Sequence, residues 1–323
     1  MRRLIYLLFI LLALTGAQAA PASETNRNDT AVKPWSVDLR VKNYFNSHTS
    51  YEFGNPNSPY QAPLSRLEFP LNTWWAGAEV RRSFPRASAG LEVLRNVSGE
   101  ADGTFKDSDW DDNAKPNVKT IYSELNCRME PSYAVRGDLD LKVSDWIGLP
   151  AWLDLRPVIG FRWQRFTLVA HDGTQSYPAP GDNRPSQSLP GDAIRFEQTY
   201  WQYFLGVRTA FEIGKHVNVS QLKLLMQLDW AYVEGSNEDH HLLKVNRFTY
   251  DKTQGDAWHA SIGLKTGLTA NLNANLEADY LKIQTTGSHR MVNGVPATHT
   301  SWNYGVKVWS EQTSLMMSLE YSF

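Results

Sequence analysis

The sequence predicts an all-β protein, a ten-stranded antiparallel transmembrane β-barrel that extends beyond the membrane on the extracellular side. Apolar and polar residues alternate along most of the chain. The chain has 12 Trp, 14 Tyr and 13 Phe, although its mean hydropathy is only −0.43. Its N-terminus also has the features of a secretory signal. Barrel strands present one face to lipid and one to water, which explains this combination. Composition alone would also fit a secreted β-sandwich.

The N-terminal region predicts export. Two arginines precede an apolar run at 4–14, and the pattern at 17–19 is the small-x-small type that signal peptidases cleave. We therefore expect residues 1–19 to be a signal peptide and 20–36 to be a flexible N-terminal lead. The remaining segment, 37–323, is expected to form a single barrel domain.

Ten alternating runs predict ten strands. In the last run, apolar residues occupy every second position from Leu315 to the terminal Phe323, an ending typical of outer-membrane barrels. Ten is an even number, as in bacterial single-chain barrels. Several runs exceed the ~9–11 residues that cross a bilayer, so the barrel should project beyond it. The runs are 37–47, 64–83, 87–97, 131–145, 151–170, 194–213, 218–235, 245–267, 271–288 and 306–323.

The connections between these runs alternate in length. Short turns are expected on the periplasmic side and long polar loops on the extracellular side. The short turns lie at 85–86, 148–150, 214–215 and 270–271, and the predicted loops at 48–63, 98–130, 171–193, 235–245 and 289–305.

Charge and cysteine content exclude some functions. The chain has 32 basic and 34 acidic residues, a net charge of −2, and it has no strongly basic stripe. We therefore expect no nucleic-acid partner. Cys127 is the only cysteine, so an intramolecular disulfide is excluded. A small buried residue is a better interpretation of Cys127 than a catalytic thiol.

The first candidate site is an acidic pair. Asp107 and Asp109 are two residues apart, so on an extended segment their side chains point the same way. Close carboxylates repel, which raises one pKa and allows the pair to share a proton or hold a water. A solvated acidic loop is the simpler interpretation. A calcium loop is poorly supported, because its sixth and twelfth positions would be Asp112 and Val118 rather than Gly and Glu.

The second candidate is an Asp-x-His pattern. Asp239 and His241 also share one side of an extended backbone, and a carboxylate beside an imidazole makes it a competent general base. An exposed polar loop and a metal site at His240 and His241 are the alternatives. Adjacent histidines point apart on a strand, which disfavours the metal site. Asp239 and His241 lie in a predicted loop on the same rim as the acidic pair.

Three stretches resemble the omptins, a family of ten-stranded outer-membrane endopeptidases of Gram-negative bacteria. They are 107–110 (Asp-Ser-Asp-Trp), 233–241 (Val-Glu-Gly-Ser-Asn-Glu-Asp-His-His) and 247–250 (Arg-Phe-Thr-Tyr). The resemblance implies a catalytic pair, Asp107 and Asp109, facing a dyad, Asp239 and His241. A water between Asp107 and His241 would attack the peptide bond with no cofactor or metal.

The resemblance also implies partners. Omptins use acidic residues to select a basic residue of the peptide substrate. Glu52 has the spacing of one such position, although a structural strand-end glutamate fits equally. Asn237 occupies the other position, and its missing charge should weaken that selection. Arg165 matches one basic residue of a lipopolysaccharide site, so lipopolysaccharide is an expected partner and an expected requirement for activity. The family is generally monomeric.

These observations leave three functions open. The resemblance favours an endopeptidase in the bacterial outer membrane with an extracellular active site. An inactive barrel acting as an adhesin or receptor would use the same loops. A small-solute channel would use the lumen, which ten strands lined by Arg, Glu and aromatic residues leave narrow.

Overall fold

A computed structural model describes residues 33–54, 63–214 and 221–323. The predicted signal peptide and most of the predicted lead lie outside the described residues. The strands are β1 (Trp35–Phe53), β2 (Ser65–Pro70), β3 (Trp74–Ser83), β4 (Ala87–Asn96), β5 (Phe105–Asp109), β6 (Ile121–Met129), β7 (Tyr133–Leu141), β8 (Leu153–Ser176), β9 (Gln187–Glu212), β10 (Lys223–His241), β11 (Arg247–Gly267), β12 (Leu272–Asn293) and β13 (Thr298–Ser322).

These segments form one closed antiparallel ring. β1 pairs with β13 on one side, and on its other side with β3 along its first half and with β2 along its second half. β8 likewise pairs with both β6 and β7. The pairs β2/β3, β4/β5 and β6/β7 are therefore the two halves of three interrupted long strands. Counted this way the ring has ten strands, and the predicted fold is confirmed.

The strands extend much further than predicted. The predicted loop 98–130 contains β5 and β6, and β10 continues into the predicted loop 235–245 as far as His241. β1 also begins at Trp35, inside the predicted lead, because Ser36 pairs with Ser322. The loop predictions failed for a physical reason. Away from lipid a strand needs no apolar outer face, so the alternation fades while the backbone hydrogen bonds continue.

The two ends of the barrel differ. The short turns at 85–86 and 270–271 lie at one end, called here the turn end, together with Trp35 and Ser322. The opposite end, the hairpin end, carries long two-stranded projections. Between them the outer wall exposes a band of large apolar side chains, as a barrel does where it meets lipid. The band includes Leu39, Val80, Leu91, Leu139, Ile159, Leu205, Leu228, Ile262 and Leu319. Within the described ranges, no helix has the length and hydropathy to cross a membrane.

Side chains fill the lumen. A cavity of about 320 Å³ at the turn end has arginines and carboxylates among its lining residues, including Arg40, Glu79 and Arg81. Nearer the hairpin end, Phe196 stacks between Tyr51 and Phe69, with ring centroids 5.3 and 4.5 Å away. Tyr51, Phe69 and Phe196 are fully buried. This aromatic layer lies across the interior below the hairpin end.

Candidate active site

The strand register directs two walls of side chains into the mouth of the hairpin end. Directly opposite residues in an antiparallel ladder point to the same face. Asp107 lies opposite Leu67, which lies opposite the buried Tyr51, so Asp107 is on the inner face. Asp109 lies opposite Ser65 on the same face. Asp239 and His241 line the facing wall from β10.

Asp239 and His241 form a close pair. Oδ2 of Asp239 lies 3.3 Å from Nε2 of His241, and the Asp239 side chain is 1% exposed. The Tyr51 hydroxyl donates a hydrogen bond to the same oxygen. Burial acts to raise the pKa of Asp239, but His241 and the Tyr51 bond outweigh it and hold the pKa below its ordinary value. Because Nε2 faces the carboxylate, Nδ1 is the nitrogen of His241 left to accept a proton.

The pKa values of Asp107 and Asp109 are raised, whereas that of Asp239 is lowered. Burial raises the pKa of Asp107 well above its ordinary value, and the charges of Asp109 and Asp239 raise it further. Burial also raises the pKa of Asp109, although a hydrogen bond with Ser65 opposes the shift. Oδ1 of Asp107 is buried and has no hydrogen-bond partner in the described part of the chain. The hydrogen-bonding capacity of this oxygen is therefore unused among the described residues.

The two pairs of side chains interact electrostatically. Asp239 acts on the pKa of Asp107, and His241 acts on that of Asp109. The sequence predicted that these four residues lie on one rim, and the structure places each pair on the inner face at the hairpin end. Sequence reasoning missed Tyr51, whose hydroxyl connects β1 to the dyad across the lumen. The only available signal was its inward position in the alternation of β1.

Comparison with known proteins identifies the family. A family model described as the omptin family matches residues 87–323, which include the Asp107–Asp109 pair and the Asp239–His241 pair. The chain belongs to the omptin family. Protease 7 of Escherichia coli K12 and Protease 7 of E. coli O157:H7 are each 24% identical to it over 200 residues. That match covers 59% of this chain and 59% of each relative, so it spans less than two thirds of their length.

The outer membrane protease OmpT from E. coli has the same fold. Its crystal structure superimposes with a TM-score of 0.77 and 14% identity, over 94% of this chain and 100% of OmpT. The match supports the ten-stranded ring directly. This omptin is therefore an outer-membrane β-barrel, as the apolar band on its outer wall also indicates.

Asn237 belongs to a polar layer one inward position below Asp239. It accepts a hydrogen bond from Gln198 at 3.2 Å and donates one to Asp251 at 3.4 Å. Gln198 accepts a bond from Thr49 at 2.7 Å, and Asp251 lies 2.9 Å from Nδ1 of His289. The layer crosses the lumen from β1 to β12 and forms the floor of the mouth. The predicted substrate-binding residue Asn237 is thus fully engaged within the protein.

The structure places Glu52 on the outer face of β1, and its role in binding substrate stays a prediction. Glu52 lies between the inward-facing Tyr51 and Phe53, so it points outward. Its carboxylate is bound by Arg66 at 2.7 Å, and this arginine stacks over Trp110 and Trp309. This ion pair fits the alternative interpretation of Glu52 as a structural glutamate at the end of a strand.

Arg165 lies on the outer wall, as expected for a lipid contact. Its side chain is 47% exposed and bonded to Glu197 at 2.6 Å. In the two neighbouring ladders it lies opposite Tyr133 and Thr199. The exposed Trp201 is two residues beyond Thr199 on the same strand. One arginine held by a carboxylate presents little free positive charge to an anionic headgroup.

The structure also bears on the metal alternative. Among the described residues, no group of three or more His, Cys, Asp or Glu side chains is arranged to hold a metal ion. The His240 ring stacks on Phe248 with centroids 4.0 Å apart, on the face opposite His241. The two adjacent histidines therefore point apart, as their alternation on a strand requires.

Proposed function

We propose that this protein is an outer-membrane endopeptidase that hydrolyses peptide bonds at the extracellular mouth of its barrel. One observation carries the proposal. The buried dyad of Asp239 and His241 faces two carboxylates of raised pKa, Asp107 and Asp109, across the mouth. Perturbed titratable groups gathered in a concave site are typical of catalytic centres. Membership of the omptin family supports the same activity.

The residues suggest direct attack by water. Asp107 accepts a hydrogen bond from the water and orients it toward the scissile carbonyl carbon. His241 removes a proton from the water through Nδ1, and Asp239 stabilises the imidazolium. The carbonyl electron pair moves onto the oxygen to form a tetrahedral oxyanion. Collapse of this intermediate breaks the C–N bond, and the leaving amine takes the proton from His241.

Substrates and lipid are part of the proposal. Peptides or exposed protein segments would enter from the hairpin end, with side chains resting on the layer that contains Asn237. Lipopolysaccharide would contact the outer wall near Arg165 and hold the barrel in its active form. The protein acts as a monomer in this proposal.

A cleavage assay tests the proposed function. We expect refolded protein mixed with lipopolysaccharide to cleave members of a fluorogenic peptide library, and mass spectrometry to locate the cleaved bond inside each peptide. An absence of cleavage, together with saturable binding of an intact host or matrix protein, would support the adhesin alternative instead.

The pH profile gives a separate prediction. Asp107 has a raised pKa partly because Asp109 is negatively charged nearby. Replacing Asp109 by Asn removes that charge, so the pKa of Asp107 should fall while the effect of burial remains. Since attack needs ionised Asp107, the acid limb of kcat/KM should move to lower pH. The matched control is Asp111→Asn, at an exposed position in the same hairpin. An acid limb that stays in place or moves to higher pH would contradict this assignment.

A further inference from the structure

Arg247 occupies a position from which it can reach the reacting atoms. The β10–β11 ladder ends with His241 directly opposite Arg247. Side chains so paired lie on the same face, with Cβ atoms about 4.5–5.5 Å apart. Arg247 is therefore on the inner wall of the mouth, beside the imidazole of His241.

The charge of Arg247 acts on the whole site. It lowers the pKa of Asp107, Asp109 and Asp239, so it favours the ionised form of each of these three carboxylates. Within the described ranges, however, Arg247 forms no ion pair within 4.0 Å. Its Nε is buried and has no hydrogen-bond partner among the described residues.

Other inward-facing arginines are already occupied. Arg162 is bound by Asp229 at 2.6 Å, and Arg208 is bound by Asp140 at 2.6 Å. Arg81 contacts Asp138 at 2.8 Å. Each of these guanidiniums forms an ion pair with a carboxylate inside the barrel. Arg247 differs because no described residue accepts a hydrogen bond from its Nε or forms an ion pair with it.

Hydrolysis at this site requires such a group. Attack by water places negative charge on the carbonyl oxygen, and three nearby carboxylates repel that charge. A preorganised donor at this oxygen is commonly worth about 10²–10³ in kcat. A guanidinium suits the role because it stays protonated and offers five N–H donors in a fixed plane.

We propose that Arg247 is a catalytic residue that donates hydrogen bonds to the carbonyl oxygen as it becomes an oxyanion. The inference rests on the proposed function, because it assigns a role within the same peptide hydrolysis. His241 takes the proton of water, Arg247 receives the developing negative charge, and Arg247 itself exchanges no proton. Its contacts with the oxygen strengthen as the tetrahedral intermediate forms.

Lys244 is the competing donor, since its charge also acts on Asp107 and Asp109. It lies exposed in the turn between β10 and β11, whereas Arg247 begins the strand and is fixed by the ladder. A donor must be held in place to stabilise a transition state. We therefore expect Lys244→Met to retain most of the activity.

Kinetics and ligand binding test the role of Arg247. Arg247→Met should lower kcat by about 10²–10³-fold with little change in KM, and Arg247→Lys should recover part of the loss. Arg290→Met is the matched control, because Arg290 is exposed on the outer face of β12 and its loss should leave kcat unchanged. An unchanged kcat in Arg247→Met, or an effect confined to KM, would overturn the proposal.

A peptide phosphonate separates this inference from the proposed function. The phosphonate copies the tetrahedral oxyanion, and calorimetry measures its binding without any turnover. Arg247→Met should lose about 10²–10³ in phosphonate affinity but keep its affinity for the matching uncleaved peptide. Equal phosphonate affinity in wild type and variant would overturn the role of Arg247. Failure of the wild type to cleave any peptide would instead refute the proposed function.

Discussion

Replacing His241 by Ala is expected to lower kcat/KM for peptide cleavage by about 10²–10⁴-fold, the usual contribution of a general base. The imidazole is the only base adjacent to Asp239 in the described mouth, and removal leaves the water unactivated. The measurement is initial-rate cleavage of a fluorogenic peptide by refolded protein with lipopolysaccharide. His240→Ala is the matched control, because His240 stacks on Phe248 on the opposite face. Activity retained by His241→Ala would remove the dyad from the mechanism.

Asp107→Asn should also abolish cleavage, but it should stabilise the fold near neutral pH. The folded-state pKa of Asp107 is raised above 3.8, so between those values the folded protein binds more protons than the unfolded chain. The stability of the wild type therefore falls as pH rises through this window. Asn does not ionise, so the variant does not lose this stability as the pH rises. Thermal unfolding midpoints should be higher for the variant at pH 7 and should converge below pH 3.8.

The second large effect concerns the lumen. Asp229→Ala should reduce the free energy of unfolding by about 3–5 kcal/mol, because it leaves buried charges without their partner. Asp229 binds Arg162 at 2.6 Å and Nδ1 of His259 at 2.8 Å, and its side chain is 0% exposed. His259 also contacts Asp279 at 3.2 Å. The measurement is equilibrium urea unfolding in detergent micelles.

A surface pair provides the control for this prediction. Asp182→Ala removes an ion pair with Arg184, whose side chain is 55% exposed. Exposed pairs contribute little, so this change should leave the unfolding midpoint where it is in the wild type. Equal unfolding curves for Asp229→Ala and Asp182→Ala would show that the lumen network does not stabilise the barrel.

Much of this fold was predictable because lipid imposes a simple pattern. Where strands cross the apolar band, every second residue must be apolar, and Leu319 and Tyr321 show this in the sequence. Beyond the band that constraint ends. The long projections of β5, β6 and β10 were therefore predicted as loops, since nothing in their outer-face residues distinguishes strand from loop.

The candidate site was predictable in part. The spacing of Asp107 and Asp109, and of Asp239 and His241, indicated that each pair shares a face. Tyr51 and Arg247 were not recognised as parts of the site. Each joins it through a partner on another strand, and a single sequence does not specify which strand positions oppose each other.

The amino-acid sequence by itself determined the barrel class, the strand count and the shared face within the Asp107–Asp109 and Asp239–His241 pairs, because these follow from alternation and local spacing. The tertiary structure alone decided which side chains meet across the lumen. Closing the ring sets the register of every ladder, and that register places Tyr51 on Asp239, directs Glu52 outward to Arg66 and holds Arg247 beside His241. Long-range pairing of this kind depends on the whole sheet and leaves no mark in any one segment.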